Sequence, residues 1–162
     1  MSHQYSYVSL DVDLSRNPGY LLRRIQRLGC NQAEGCFVDQ ELTFSQWLAL
    51  RLIMGGIADT AGSLARNMGH DTGAVTRLVD QLEKRHLLTR ERQTNDRRVV
   101  TLVLTDAGKK AVALLTPRLN DMWVELFSGF SPDEVDTLIT LLHRLLLKLE
   151  AREEASVSGV PV

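Results

Sequence analysis

Residues 60 to 105 constrain the fold most strongly, because two short helical patterns and a basic hairpin follow one another there with short connections. A first helix is predicted from about Thr60 to Asn67. A turn at Met68, Gly69 and His70 follows, where glycine can adopt the positive φ of a tight corner. Asp71 or Thr72 then begins a second helix, since either side chain can accept hydrogen bonds from free backbone N–H groups. This order of helix, turn and helix is typical of a helix-turn-helix unit.

The second helix of this pair has two chemically different faces. Its apolar residues recur at helical spacing and are predicted to face a core shared with Leu64, namely Val75, Leu78, Val79 and Leu82. Its outward side chains are small or hydrogen-bonding near the N-terminal end, with cations behind them, which suits insertion into the major groove of DNA. The residues of this helix predicted to bind DNA are Thr72, Gly73, Ala74, Thr76, Arg77, Gln81 and Lys84.

A basic hairpin follows the helix pair, with strands predicted from Leu88 to Gln93 and from Val99 to Leu104. Its turn carries Asp96, Arg97 and Arg98, which are also predicted to belong to the DNA-binding site. An arginine there can enter a narrow minor groove or pair with phosphate, whereas Asp96 is expected to orient a neighbouring arginine. The alternative is a solvated hairpin whose arginines only keep the protein soluble. Together, the helix pair and the hairpin predict a winged helix-turn-helix.

The distribution of charge favours a local DNA-binding surface, although the net charge of the 162-residue chain is only −1. Residues 66 to 98 contain eight Lys or Arg against five Asp or Glu, a net charge of +3. Residues 120 to 154 contain three against eight, a net charge of −5. DNA binding requires a basic patch rather than a basic protein, so the overall balance does not exclude it.

Length and hydrophobicity predict one domain, or one domain with an extension. The lack of a long apolar run and the polar N-terminal segment place the protein in the cytoplasm. The chain is 44% hydrophobic, which is enough for a core. It contains no run of about 18 apolar residues, so no membrane span is predicted. Residues 1 to 13 are polar and acidic, where a secretion signal would be basic and then apolar.

Three segments of the chain resemble the multiple antibiotic resistance regulator (MarR) family of winged helix-turn-helix transcription factors. They are Leu42 to Ile53, Val75 to Arg85, and a wing signature made by Asp96, Arg98, Leu104 and Thr105. His86 departs from the family pattern, which commonly has glycine after the recognition helix, although histidine tolerates a positive φ better than most residues. The resemblance implies an intertwined homodimer joined through its N- and C-terminal helices.

Helical segments flank the winged unit on both sides, so the predicted fold class is mainly α with a small β-hairpin wing. Two of the flanking helices begin with a capping box, at Thr43 with Gln46 and at Ser131 with Glu134. We predict an N-terminal arm and dimerisation helix in residues 1–41, the winged helix-turn-helix in 42–105, C-terminal dimerisation helices in 106–152 and a disordered tail in 153–162.

The last helix carries more leucine and isoleucine than one core face needs. One stripe consists of Leu138, Leu142, Leu145 and Leu149, and it is widened by Ile139, Leu141, Leu146 and Leu147. We expect part of this surface to contact a second subunit, with burial inside one monomer as the alternative. A homodimer also suits DNA recognition, because two recognition helices about one helical turn apart read a palindrome.

The resemblance also implies a small-molecule effector. Members of the family often bind small aromatic anions or lipophilic compounds between the dimer helices and the DNA-reading lobe. Helix position and aromatic or cationic character select the candidate ligand-binding residues Tyr20, Arg23, Arg24, Trp47 and Arg51. Each of them could instead be a core or surface residue.

Metal, cofactor and catalytic sites are not predicted. The four histidines lack the i, i+4 spacing or neighbouring cysteine of a metal site, and no phosphate-binding glycine loop or nucleophile elbow is present. Cys30 and Cys36 lie roughly 240° apart around a helix axis, so a disulfide between them would require the helix to break. They are interpreted either as reduced cysteines or as a redox sensor, which the resemblance implies for one branch of the family.

These patterns predict a transcriptional regulator, expected to be a repressor, that binds a palindromic operator in double-stranded DNA as a homodimer and is released by a ligand. Two alternatives stay open. One is a thiol-based peroxide-sensing regulator of the same fold, and the other is a winged helix that assembles with an acidic protein partner.

Overall fold

The computed structural model describes residues 13–39, 41–92 and 100–157, and the predicted wing-tip residues Asp96, Arg97 and Arg98 lie outside these ranges. The described chain is mostly helical with one antiparallel hairpin, which confirms the predicted fold class. Its main elements are α1 (Pro18–Gly35), α2 (Phe44–Met54), α3 (Ala61–Met68), α4 (Thr72–Lys84), β1 (Leu88–Arg92), β2 (Val100–Leu104), α5 (Asp106–Leu126) and α6 (Pro132–Val157).

The chain divides into two compact units, one that ends at Met122 and one that begins at Trp123. The core of the first unit includes three residues from α5, Val112, Leu115 and Leu119, all of them buried. Because α5 supplies this part of the core, the compact unit extends past residue 105, where we predicted the winged segment to end.

The apolar face predicted for the helix pair is confirmed. Leu64 of α3 and three residues of α4, Val75, Val79 and Leu82, have no exposed surface, and Leu78 is half-buried. The hairpin pairs Leu88 with Leu104 and Arg92 with Val100 in antiparallel register. Burial of one face of α4 leaves the opposite face, with its polar side chains, at the surface.

α2 begins with the predicted capping box and places Trp47 in the core. The Thr43 hydroxyl accepts a hydrogen bond from Gln46 N–H, and the Gln46 side chain accepts one from Thr43 N–H, both at 3.2 Å. Trp47 is 9% exposed, and its ring stacks on Phe44 with centroids 6.0 Å apart. Its indole N–H donates to Val112 O at 3.4 Å, so α2 is joined to α5 by a polar contact as well as by packing.

A tight corner at His86 and Leu87 follows α4, and the start of α5 is hydrogen-bonded to this corner. His86 has φ 58°, and Leu87 N–H donates to Leu82 O at 3.0 Å. Thr105 N–H donates to Leu87 O at 3.1 Å, and the Thr105 hydroxyl donates to His86 O at 2.7 Å. A Cβ at Gly108 would lie 2.0 Å from Leu87 O, so only glycine fits this approach. The end of α4 and the start of α5 are therefore fixed to the same two residues.

The second unit contains the end of α5 and the whole of α6. Trp123 stacks on Phe127 with ring centroids 5.7 Å apart, and Phe127 meets Phe130 edge to face at 5.8 Å. Ser131 N–H donates to the Glu134 carboxylate at 2.8 Å, and Glu134 N–H donates to the Ser131 hydroxyl at 3.3 Å. The second capping box predicted from the sequence is thus confirmed.

α6 is longer than predicted, because it continues to Val157, whereas the disordered tail was predicted to begin at residue 153. Glu153, Glu154 and Ala155 are good helix formers, and the Ser156 hydroxyl donates to the Arg152 carbonyl at 2.8 Å. No described side chain of α6 is buried. The eight leucine and isoleucine residues of its apolar stripe are 38 to 56% exposed.

Candidate nucleic-acid interface

α3, the following turn and α4 form the predicted helix-turn-helix. The Thr60 hydroxyl accepts a hydrogen bond from Ser63 N–H at 3.1 Å at the start of α3, and Gly69 ends that helix with φ 64°. Of the two candidates for capping α4, Asp71 is the N-cap, and its carboxylate accepts a hydrogen bond from Ala74 N–H at 2.8 Å. The first turn of α4 is thereby fixed next to the residues predicted to bind DNA.

The seven α4 residues predicted to bind DNA lie on the side of the helix opposite the core. Ala74 is half-buried, and the other six are exposed: Thr72, Gly73, Thr76, Arg77, Gln81 and Lys84. The Thr76 hydroxyl donates to the Thr72 carbonyl at 2.8 Å. Each turn of α4 therefore contributes at least one polar or small side chain to one accessible surface.

Asp71 is stabilised as a carboxylate at the N-terminal end of α4. The hydrogen bond from Ala74 N–H, supported by the positive charge of Arg77, lowers the pKa of Asp71 below its ordinary value of 3.8. A carboxyl whose pKa is lower in the folded state stabilises that state above its ordinary pKa. This contribution is lost as the pH falls through the folded-state pKa.

We expect Asp71→Ala to be less stable than the wild-type protein at neutral pH, and the difference to shrink on acidification. The reason is that the protonated wild-type side chain accepts the Ala74 hydrogen bond less strongly. Urea unfolding followed by circular dichroism, from about pH 7 to about pH 3, measures this difference. Asp71→Asn keeps a capping oxygen and is the matched control, expected to lose less at neutral pH. A difference that stays constant across the range contradicts the charged-cap interpretation.

The N-terminal end of α2 contacts one edge of the exposed α4 face. Gln46 Nε2 donates to Gln81 Oε1 at 3.0 Å. One turn further along α4, the Arg85 guanidinium donates to Glu41 O at 2.7 Å and to its carboxylate at 3.1 Å. These side chains therefore fix α2 against the C-terminal half of α4.

The wing contacts the other edge of the α4 face through Arg90 on β1. Its guanidinium donates to Asp80 at 2.6 Å and to Glu83 at 2.5 Å, both on α4. The hydrogen bond to Asp80 and the charge of both carboxylates raise the pKa of Arg90. Arg90 thus fixes the base of the hairpin to the recognition helix, and its own charge is neutralised by protein groups.

The remaining predicted site residues lie elsewhere in the first unit. Tyr20, Arg23 and Arg24 are exposed on α1 and Arg51 is exposed on α2, whereas Trp47 lies in the core. A ligand-binding role for these five residues stays a prediction.

The two cysteines are free thiols, and both are half-buried. Cys30 lies within α1, where Gln26 Nε2 is 3.7 Å from its Sγ. Cys36 follows the end of that helix, with its Sγ 3.6 Å from the Gln32 carbonyl oxygen. A redox role for either thiol also stays a prediction.

Within residues 13–39, 41–92 and 100–157, no three His, Cys, Asp or Glu side chains are grouped so that they could hold a metal ion. None of the helices in these ranges is long and apolar enough to cross a membrane.

Comparison with known proteins gives matches in sequence and in structure. The sequence profile of the MarR family matches residues 42–100. The HTH-type transcriptional regulator YcgE of Bacillus subtilis (strain 168) is 36% identical over 85 residues, which make up 52% of this chain and 55% of that protein. The match therefore spans about half the length of this curated relative.

Solved structures match over more of the chain. A MarR family transcriptional regulator from Silicibacter pomeroyi has a TM-score of 0.76 and 29% identity, covering 83% of this chain and 90% of that one. Bordetella bronchiseptica BpsR, whose DNA binding is regulated by 6-hydroxynicotinic acid, has a TM-score of 0.68 and 25% identity, covering 81% and 94%.

The helix-turn-helix, the adjacent hairpin and the exposed polar face of α4 define a winged helix-turn-helix protein. Residues 42–100 match the sequence profile of the MarR family, and the described fold is similar to that of a MarR family transcriptional regulator of known structure. Proteins of this family are in general regulators rather than enzymes.

Proposed function

We propose that the protein is a DNA-binding transcriptional regulator that recognises a palindromic operator as a homodimer and represses transcription. The observation that carries the proposal is the polar face of α4, which is exposed while the opposite face fills the core. The proposed contacts from α4 are Thr72, Gly73, Ala74, Thr76, Arg77, Gln81 and Lys84. From the wing tip they are Arg97 and Arg98, and Asp96 is the site residue proposed to orient a neighbouring arginine.

The proposed homodimer rests on exposed apolar residues near both ends of the chain. On α1, Leu21, Ile25 and Leu28 are 37, 60 and 44% exposed, and on α6 the eight leucine and isoleucine residues of the stripe are similarly exposed. Exposed apolar surface of this extent is uncommon on a monomer and marks an interaction surface. A second copy of the chain is the partner that would also provide a second recognition helix for a palindrome.

An effector is part of the proposal, because the related BpsR is regulated in its DNA binding by a small aromatic acid, 6-hydroxynicotinic acid. Tyr20, Arg23, Arg24, Trp47 and Arg51 are the proposed ligand-binding residues of this chain. Arginine and aromatic side chains suit an aromatic anion, since they combine charge pairing with ring stacking. We place the protein in the cytoplasm, together with the DNA that it binds.

Two arginine substitutions test the DNA-binding assignment. If Arg77 contacts a base edge, Arg77→Ala should weaken binding to the selected operator by about 1 to 3 kcal/mol and relax the sequence preference. Arg98→Ala should instead weaken binding to most sequences alike and reduce the salt dependence, because it removes a phosphate contact. The measurement is selection from a random duplex library at about 0.15 M salt, followed by titration of selected and scrambled duplexes.

Arg152→Ala is the control, because it removes an exposed cation from α6, outside the proposed DNA-binding site. Its affinity should equal that of the wild-type protein. Wild-type binding after both Arg77→Ala and Arg98→Ala would contradict the assigned site. A wild-type protein that selects no sequence, and whose weak binding vanishes as salt rises, would instead support assembly with an acidic protein partner.

A further inference from the structure

Two hydrogen bonds connect the capping box of α2 to the exposed face of α4. Thr43 N–H donates to Gln46 Oε1 at 3.2 Å, and Gln46 Nε2 donates to Gln81 Oε1 at 3.0 Å. Gln46 is half-buried at the start of α2, and Gln81 is exposed one turn after Arg77. A backbone group of one helix is thus linked, through two side-chain amides, to a residue on the polar face of another.

The first bond determines the direction of the second. A backbone N–H can only donate, so the side-chain oxygen of Gln46, and not its nitrogen, must face Thr43. The Gln46 amide nitrogen then faces Gln81 and can only donate, so it must meet the oxygen of Gln81. The orientation of both amides therefore follows from the chemistry of the capping box.

The consequence is that Gln81 directs its NH₂ group away from α2. No residue in the described ranges accepts a hydrogen bond from Gln81 Nε2. A freely rotating glutamine can read adenine with both amide atoms, using the oxygen for N6–H and the nitrogen for N7. Here the oxygen already accepts the hydrogen bond from Gln46, so the paired contact with adenine is disfavoured.

We propose that Gln81 acts as a hydrogen-bond donor toward DNA, and that Gln46 is the positioning residue that fixes this polarity. The proposal rests on the proposed function, since it names the chemistry of one contact at the same site. The DNA atom must be an acceptor, either a phosphate oxygen or a base acceptor in the major groove such as guanine O6 or N7 or thymine O4.

Gln46→Glu tests the proposal from a position that need not touch DNA. A glutamate at this helix position still accepts the hydrogen bond from Thr43 N–H, so the capping box is kept. Its second oxygen is an acceptor, so Gln81 must turn its NH₂ group toward position 46 and its oxygen outward. Binding to the wild-type operator should fall about tenfold, because an acceptor then faces an acceptor.

The sequence selected from a random duplex library distinguishes the two possible acceptors. If Gln81 contacts a base, Gln46→Glu should change the preferred base at one position of each half-site to one that offers a donor, such as cytosine N4–H or adenine N6–H. If Gln81 contacts phosphate, affinity should fall for all sequences while the selected sequence stays the same.

Two controls separate this effect from the added negative charge. Ser45→Glu places the same charge one residue away and should leave the preferred bases unchanged, with a smaller loss of affinity. Gln46→Glu and Ser45→Glu are also compared in a Gln81→Ala background. There, Gln46→Glu should lower the affinity for DNA no more than Ser45→Glu does. It should also no longer change the preferred base. Thermal melting by circular dichroism checks that each variant folds.

The outcomes that overturn the proposal are specific. One is that Gln46→Glu selects the wild-type sequence with wild-type affinity. Another is that its effect is equally large in the Gln81→Ala background, because that effect would then not depend on the Gln81 amide. Failure of the wild-type protein to select any sequence overturns the proposed function itself. If the wild-type protein selects a palindrome, and Gln81→Ala binds it with the same affinity and selects the same sequence, only this inference is overturned.

Discussion

Gly108→Ala should lower the free energy of unfolding by about 3 kcal/mol, among the largest effects expected of a single methyl group. The added Cβ would lie 2.0 Å from Leu87 O and 3.0 Å from the carbonyl carbon of the same residue. Both are backbone atoms, so no side-chain rotation relieves the clash, and the start of α5 must move away from the corner after α4. Urea unfolding by circular dichroism at one fixed protein concentration measures the loss.

Gly62→Ala is the matched control, because it makes the same chemical change in a helix of the same unit. A Cβ at Gly62 meets no atom within 4 Å among the described residues, and the residue is exposed on α3. Alanine should therefore leave the stability unchanged or raise it by up to about 1 kcal/mol. Equal effects of the two substitutions would show that the approach of Gly108 to Leu87 does not constrain the fold.

Trp47→Ala should lower the free energy of unfolding by about 3 to 5 kcal/mol, since it removes a large buried ring from the core. Trp47 is only 9% exposed, stacks on Phe44, and donates its indole N–H to the Val112 carbonyl oxygen. The substitution would leave a cavity between α2 and α5, while the Val112 carbonyl would keep the hydrogen bond from the Thr116 hydroxyl at 2.7 Å. Denaturant unfolding under the conditions used for Gly108→Ala provides the comparison.

Trp47→Phe separates the packing of the ring from the hydrogen bond of the indole. Phenylalanine keeps an aromatic ring beside Phe44, so less than half of the Trp47→Ala loss is expected. The protein contains two tryptophans, so Trp123→Phe leaves Trp47 as the sole tryptophan reporter of unfolding where Trp47 is kept, and both Trp47 variants are followed by circular dichroism. A loss below about 1 kcal/mol for Trp47→Ala would contradict a core role and favour the ligand-binding role predicted for this residue.

Features that depend on residues within one helical turn are predictable from this sequence. The capping boxes at Thr43 and Ser131 and the glycine corner at Gly69 all satisfy backbone groups close by in the chain. The buried face of α4 is predictable for a related reason, since helical periodicity alone determines which residues share a face. These local signals also gave the order of helices and strands.

Features that depend on distant residues are not predictable in the same way. The Arg85 guanidinium contacts Glu41, which is 44 positions away, and Gln46 contacts Gln81, which is 35 positions away. In the sequence, Arg85 is one more cation near the recognition helix, and Gln46 is only part of a capping box. Neither residue carries a local signal for its partner, because the contact exists only after α2 has packed against α4.

Arg90 shows that a charge count does not tell which cations are free to meet DNA. It is one of the eight cations of residues 66 to 98, yet its guanidinium binds Asp80 and Glu83, which are among the five acidic residues of the same range. Its charge is therefore directed at protein carboxylates rather than at phosphate.

The end of α6 was predicted too early for another reason, because the small and polar composition of the tail outweighed the helix propensity of residues 153–155.

The corner around Leu87 connects the end of α4 to the start of α5 through contacts of one residue. Leu87 N–H is bound to the last turn of α4, while its carbonyl accepts a hydrogen bond from Thr105 at the start of α5. Gly108 lies against the same carbonyl, so little space is left for the two helices to pivot independently. In the proposed dimer, a rotation of α5 would therefore rotate α4 as well. The angle of α5 would then determine the separation of the two recognition helices along the DNA.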